Sequence, residues 1–212
     1  MTEKILFYTR FERFWHWAQA LLILLLLITG FVIHGSLPII SYEHGSLSIM
    51  SYEYAVTLHN QMAWTLIGLT AFAVFWHFTT GEWRQYTPTL EKIAAMVYYY
   101  SVGIFKGSKH PVEKHPDRKL NPMQRITYFL LKVLLFPFQI ITGLVYYYYN
   151  SLGDKVSLET IAFLHTAGAF AFLAFLIIHV YLATTGTTVL SHFKAMITGW
   201  EEIEADDPKP VK

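Results

Sequence analysis

The 212-residue chain contains no cysteine. That excludes disulfides, cysteine-ligated iron–sulfur clusters and thioether attachment of haem through a C-x-x-C-H signature. Histidine, present ten times (His 10), is left as the obvious ligand for a redox metal. Charge is scarce as well: Asp, Glu, Lys and Arg together make up 15% of the residues and balance to +1. No basic face can be assembled without acidic neighbours, which argues against nucleic acid as a partner. Hydrocarbon takes the place of charge. Hydrophobic residues reach 54% and mean hydropathy is +0.35, too apolar for a soluble domain of this length. The chain reads as an all-α integral membrane protein with one domain over residues 1–212. No cleavable signal peptide is expected, because the first apolar run is too long for an h-region and lacks a small-residue cleavage site.

Four runs, about 14–33, 54–80, 125–148 and 161–186, are long enough to cross a hydrocarbon layer of ~30 Å as helices. The last, IAFLHTAGAFAFLAFLIIHVYLATTG, carries His165 and His179 and no charge. Their fourteen-residue gap turns about 1400°, within roughly 40° of whole turns, and rises about 21 Å. Both imidazoles therefore project from one face, near opposite edges of the membrane. Intramembrane histidines need partners and read as functional, although hydrogen bonds to neighbouring helices would also satisfy them. The second run carries His59 near its start and His77 near its end, again on one face and about 27 Å apart. His77 lies beside Trp76 and Trp83, where a water-satisfied interfacial histidine is the expectation. His16 sits at the mouth of the first run between Trp15 and Trp17, as interfacial aromatics do.

The connections are less informative. HGSLPIISYE at 34–43 is followed directly by HGSLSIMSYE at 44–53, identical at eight of ten positions. A local duplication explains this better than a ligand site, since loop length costs little. His34, His44, His110 and His115 read as loop histidines. Residues 81–122 form a polar connection in which LEKIAAMVYYYSVGIF is apolar but short for a span, hence an interfacial helix. Lys132, near the start of the third run, is expected to snorkel to the headgroups. In the tail, 187–212, SHFKAMITGW reads as a short amphipathic piece before an acidic, partly disordered end. Spans one and three also share ITGFV and ITGLV, while spans two and four both end in TTG. The chain thus resembles two related hairpins. Gly30, Gly143, Gly68 and Gly168 are then either positions where a flat macrocycle approaches or ordinary helix-packing glycines.

Of the 16 Lys and Arg, Lys155 alone lies in the connections after spans one and three, and Lys132 lies within a span. All the others fall in the N-terminus, residues 81–125 and the tail, which the positive-inside rule makes cytoplasmic. This sorts the histidines by depth. His16 and His179 fall near the cytoplasm, and His59 and His165 near the opposite face. Each pair can ligate a haem iron from both sides, with the porphyrin between helices.

These features resemble the diheme cytochrome b subunits of membrane-bound formate dehydrogenases, thiosulfate reductases and nickel–iron hydrogenases. The resemblance rests on RFWHWAQALLILLLLITG, LHNQMAW, KLNPMQRITYFL, the His165 to His179 spacing and HFKAMITGWEE, in that order. It implies a four-helix membrane bundle with two haem b, His16 and His179 holding the cytoplasm-proximal one and His59 and His165 the periplasm-proximal one. It also implies a quinone, menaquinone or ubiquinone, beside the inner haem at an N-x-x-Q motif, here Asn121 to Gln124. Amides suit a quinone carbonyl, but Asn121 before Pro122 equally suits a helix cap. The duplicated HGSL loop departs from the family pattern.

The function so implied is an electron conduit in a bacterial or archaeal cytoplasmic membrane, with both termini inside. Electrons would pass between a periplasmic iron–sulfur subunit, and through it a catalytic subunit, and the quinone pool. Two rivals stay open: a small transporter whose histidines relay protons, and a haem-free anchor for a peripheral enzyme.

Overall fold

The computed structural model describes residues 2–35, 50–108, 110–112, 119–186 and 188–204. His44, His115, most of the duplicated loop and the acidic end lie outside them. Four helices are long and apolar enough to cross a membrane: Arg10–Ile33, Tyr52–Thr80, Pro122–Tyr147 and Leu158–Ala183. Leu21, Phe75, Phe163 and Ile177 on them are each more than half exposed. A soluble monomer rarely shows so much apolar surface, whereas against lipid it carries no penalty.

Each helix starts before its apolar run, at Arg10, Tyr52, Pro122 and Leu158 rather than near 14, 54, 125 and 161. Capping accounts for the difference, since the first N–H groups of a helix need acceptors that apolar side chains do not provide. Thr9 and Glu12 form a reciprocal box, with Glu12 N donating to Thr9 Oγ1 at 3.2 Å and Thr9 N to Glu12 Oε2 at 2.8 Å. Ser51 Oγ accepts from Tyr54 N, and Ser157 Oγ from Thr160 N, both at 3.3 Å. Asn121 and Gln124 form the third cap. The hydrocarbon stretch and the helix are thus set by different residues.

Pro137 lies inside the third span. It offers no N–H to the carbonyl four residues earlier and its ring crowds that carbonyl. The helix answers with one widened π turn over Leu131–Leu135, after which regular helix continues over Phe136–Tyr147.

The chain divides into two compact units, Met1–Arg13, Phe78–Phe138 and Ile177–Lys212 in the first, Phe14–His77 and Gln139–Leu176 in the second. In the first unit, strand β1, Thr2–Leu6, pairs antiparallel with β2, Trp200–Glu204, in the register Thr2↔Glu204 to Leu6↔Trp200. The helix Ser191–Thr198 precedes β2, as the amphipathic SHFKAMITGW suggested. It turns into the strand at Gly199, whose φ of 89° suits glycine. A Cβ there would lie 2.7 Å from the Tyr8 carbonyl. Arg13 Nη1 donates to the Ile197 carbonyl at 2.6 Å, satisfying one of that helix's last acceptors. The strand pair is a small addition to the all-α bundle: the residues up to Glu204 pair with the N-terminus.

The expected interfacial helix is present as Ile93–Tyr98, continued by a π turn, Tyr99–Gly103, and a 3-10 turn, Ile104–Lys106. Met96 is fully buried, while Val97, Tyr98 and Phe105 are exposed. A short 3-10 helix, Glu82–Tyr86, precedes it. Lys119 Nζ pairs with Glu12 Oε1 at 2.7 Å. Lys132 has a protein partner at the end of its side chain. Its ammonium stands over the Tyr86 ring, 3.2 Å from the centroid, a cation–π contact that compensates the charge without headgroups.

Candidate functional site

The second unit brings His59 and His165 together. Their ring centroids are 6.3 Å apart, with the planes at 78°. Each ring meets the same local sequence, Ile-Thr-Gly, at residues 28–30 in the first span and 141–143 in the third. Thr29 Oγ1 donates to the Leu25 carbonyl at 2.7 Å and lies 2.9 Å from His59 Nδ1. Thr142 Oγ1 donates to the Gln139 carbonyl at 3.2 Å and lies 3.1 Å from His165 Nδ1. Both threonines are buried.

A hydroxyl has one proton. Once it is directed at a helix carbonyl, the contact with the imidazole requires Nδ1–H to donate to the threonine oxygen. The lone pair of each ring then sits on Nε2. Gln139 agrees with this assignment at His165: its Nε2 lies 3.3 Å from His165 Nε2 and donates to the His165 carbonyl at 3.2 Å. Gln139 Oε1 is buried and has no hydrogen-bond partner among the described residues.

The next residue in each motif gives room. A Cβ on Gly30 would lie 3.4 Å from His59 Cε1, and one on Gly143 would lie 3.0 Å from His165 Cε1. At Gly143 any side chain would force the ring to shift. Two of the four glycines singled out in the sequence therefore sit against the histidines. Gly168 is buried in the fourth span, whereas Gly68 has open space around it.

A metal ion bonded to both imidazoles at about 2 Å fits within the separation of the rings. Among the described residues no three His, Asp or Glu side chains converge, so two imidazoles are the local protein donors. A haem iron is already held by four porphyrin nitrogens and could take these two imidazoles as its protein ligands. The donor set and the glycine clearance fit haem.

His16 and His179 lie in different units. In the second unit His16 meets Trp17 edge-on, with centroids 5.1 Å apart. In the first, His179 Nδ1 lies 3.4 Å from the Tyr128 hydroxyl, an arrangement similar to the threonine contacts but longer. His77 is buried, with Nδ1 2.6 Å from the Ala73 carbonyl. Its ring stands edge-on to Trp15 and Trp76, at 5.4 and 5.5 Å. Its own helix therefore provides the hydrogen bond that was expected from water.

The N-x-x-Q motif is a complete capping box. Gln124 N donates to Asn121 Oδ1 at 2.9 Å and Asn121 N to Gln124 Oε1 at 3.0 Å. The cap leaves the amide hydrogens of both side chains uncommitted to it. One hydrogen of Asn121 Nδ2 goes to the Tyr100 hydroxyl at 3.1 Å. Tyr100, which sequence reasoning passed over, has its phenol pushed above the usual value of 10 by burial, against the opposing pull of the Asn121 bond. It is a neutral O–H at neutral pH, accepting from Asn121 and still able to donate.

A family profile described as prokaryotic cytochrome b561 matches residues 7–199. A curated relative is the Escherichia coli (strain K12) protein named "Putative cytochrome YdhU". It is 30% identical over 204 residues, covering 93% of this chain and 75% of the relative. No solved structure matches.

Proposed function

The chain belongs to the prokaryotic cytochrome b561 family and is a multi-pass membrane electron-transfer protein of the haem b type, and from that premise we propose that it is a diheme conduit between an outer partner and quinone. His59 and His165 hold the outer haem, and His16 and His179 the inner one. Haem, when bound, supplies the one-electron chemistry, and the protein supplies ligation, spacing and electrostatics. Membership in a cytochrome family weighs against both rival expectations, a histidine proton relay and a haem-free anchor.

The observation that carries this reading is the outer pair: two histidines from different spans, 6.3 Å apart, each with Nδ1 on a threonine and its lone pair on Nε2, the atom that would bind iron and that at His165 now accepts from the Gln139 amide. At the inner end, Asn121, Gln124 and Tyr100 provide amide and phenol hydrogens suited to a quinone carbonyl. Tyr100 can also hold or pass a proton there. The distribution of Lys and Arg supports inward-facing termini in a cytoplasmic membrane. Electron transfer from an outer donor to quinone with protons taken from the cytoplasm would charge the membrane. The reverse flow uses the same residues.

The quinone link is tested by reducing the purified haem-loaded chain with dithionite, removing the excess and mixing with a soluble quinone analogue. Both haem bands are expected to reoxidise within a turnover. Haems that stay reduced would exclude the quinone reading.

The outer connections, 34–53 and 149–159, are the docking surface for an iron–sulfur partner, being short and almost free of Lys and Arg. Because the native chain has no cysteine, each introduced cysteine is a unique cross-linking point. Cross-links to the co-purifying partner are expected from 149–159. If they came only from 81–122, the partner would lie on the cytoplasmic side and the direction of charge movement would be lost.

A further inference from the structure

We infer that Thr29 and Thr142 are positioning residues for the outer haem, fixing the ring tautomer of both axial histidines and lowering that haem's reduction potential. The inference rests on ligation by His59 and His165. It goes beyond it by assigning a role to two residues that are not themselves ligands.

The same three-part device occurs twice. A hydroxyl receives Nδ1–H, its own proton goes to a carbonyl of its helix, and the following glycine lies against the ring's Cε1 edge. The two threonines come from different spans and meet rings on two further spans, so one helix's local geometry does not produce both contacts. A threonine in a buried span has a simpler option. It can bond to its own carbonyl and present its methyl to the neighbour. Here each hydroxyl does both, making the carbonyl bond and facing an imidazole nitrogen.

The chemical consequence has a sign. Donation from Nδ1–H places partial negative charge on the ring and makes Nε2 a stronger donor. A threonine oxygen whose own proton is bound to a carbonyl is a better acceptor, because hydrogen-bond chains polarise one another. A more basic axial ligand favours ferric over ferrous iron, hence a lower potential. The chain at Thr29 is the tighter one, 2.7 and 2.9 Å against 3.2 and 3.1 Å at Thr142. Thr29 therefore has the larger effect.

The test uses the purified haem-loaded chain with Thr29→Val, Thr142→Val and Thr29→Ser, read by potentiometric titration of the outer haem band and by haem retention on dilution. The outer band is defined as the one that His59→Ala removes, and the inner band is the folding control. Valine keeps the shape and removes the acceptor. The outer potential should rise in both valine variants, more in Thr29→Val, with haem affinity lower by about tenfold or more. Thr29→Ser should restore both readings. Complete loss of the outer haem in Thr29→Val with retention in Thr29→Ser also supports the inference. It is overturned if the valine variants match the parent, or if Thr29→Ser shifts as far as Thr29→Val. If His59→Ala keeps both haems, the ligation reading fails first. If His59→Ala loses the outer haem and Thr29→Val changes nothing, only the threonine role falls.

Discussion

Replacing either His59 or His165 by alanine is expected to abolish one and the same haem, leaving the other at full occupancy. The two rings belong to a single site by proximity, so loss of either ligand unmakes the same centre. The effect is all-or-none because haem b has no covalent tether, and the absence of cysteine rules out a thioether that would hold it in place. His16→Ala and His179→Ala should likewise remove one haem, the other one. His77→Ala should leave the count unchanged, since its ring is packed edge-on against Trp15 and Trp76. Haem quantification per chain, with band-resolved spectra, decides this. Two different haems missing from His59→Ala and His165→Ala, or one missing from His77→Ala, would break the assignment.

The pairing of His59 with His165 was legible in the sequence because helical rise and the positive-inside count together place both at one depth. Their supporting residues were not. The repeated ITG was visible, but it drew attention to its glycines. A threonine inside an apolar helix ordinarily bonds its own carbonyl, as Thr65 does. Only the approach of a second helix shows that the Thr29 hydroxyl also faces a ring. The strand pair was hidden for another reason. TEKIL and WEEIE are five residues each and stand at opposite ends of the chain, so neither local propensity nor spacing joins them. The partner of Lys132 was not legible either, since the sequence gives no sign that Tyr86 offers its ring. The helix starts were displaced because capping by Thr9, Ser51 and Ser157 is polar chemistry outside the apolar pattern. The cap at Asn121 was legible, through Pro122 and Gln124.

The second large effect concerns the quinone end. Asn121→Ala removes two things together, the helix cap, at about 1 kcal/mol, and the Nδ2 donor that meets Tyr100. Asn121→Asp separates them, because a carboxylate still caps the helix but donates no hydrogen bond. Gln124→Ala removes the other amide. Leaving a quinone carbonyl unpaired costs about 1 to 3 kcal/mol, so quinone-linked turnover should fall roughly tenfold or more in Asn121→Asp and Gln124→Ala. Reduction of both haems by an artificial donor should stay at the parental rate. Tyr100→Phe should slow the quinone reaction without unfolding the span, since the capping box does not use the phenol. Parental quinone rates in Asn121→Asp and Gln124→Ala would reduce the motif to a helix start.

The proposed conduit requires two centres in one chain. The direct measurement is a pyridine haemochrome assay on the purified protein together with its reduced-minus-oxidised spectrum. Two b haems per chain, one of them absent from His59→Ala and from His165→Ala, is the result this account predicts. A single haem that survives both substitutions, or no haem at all, would contradict it.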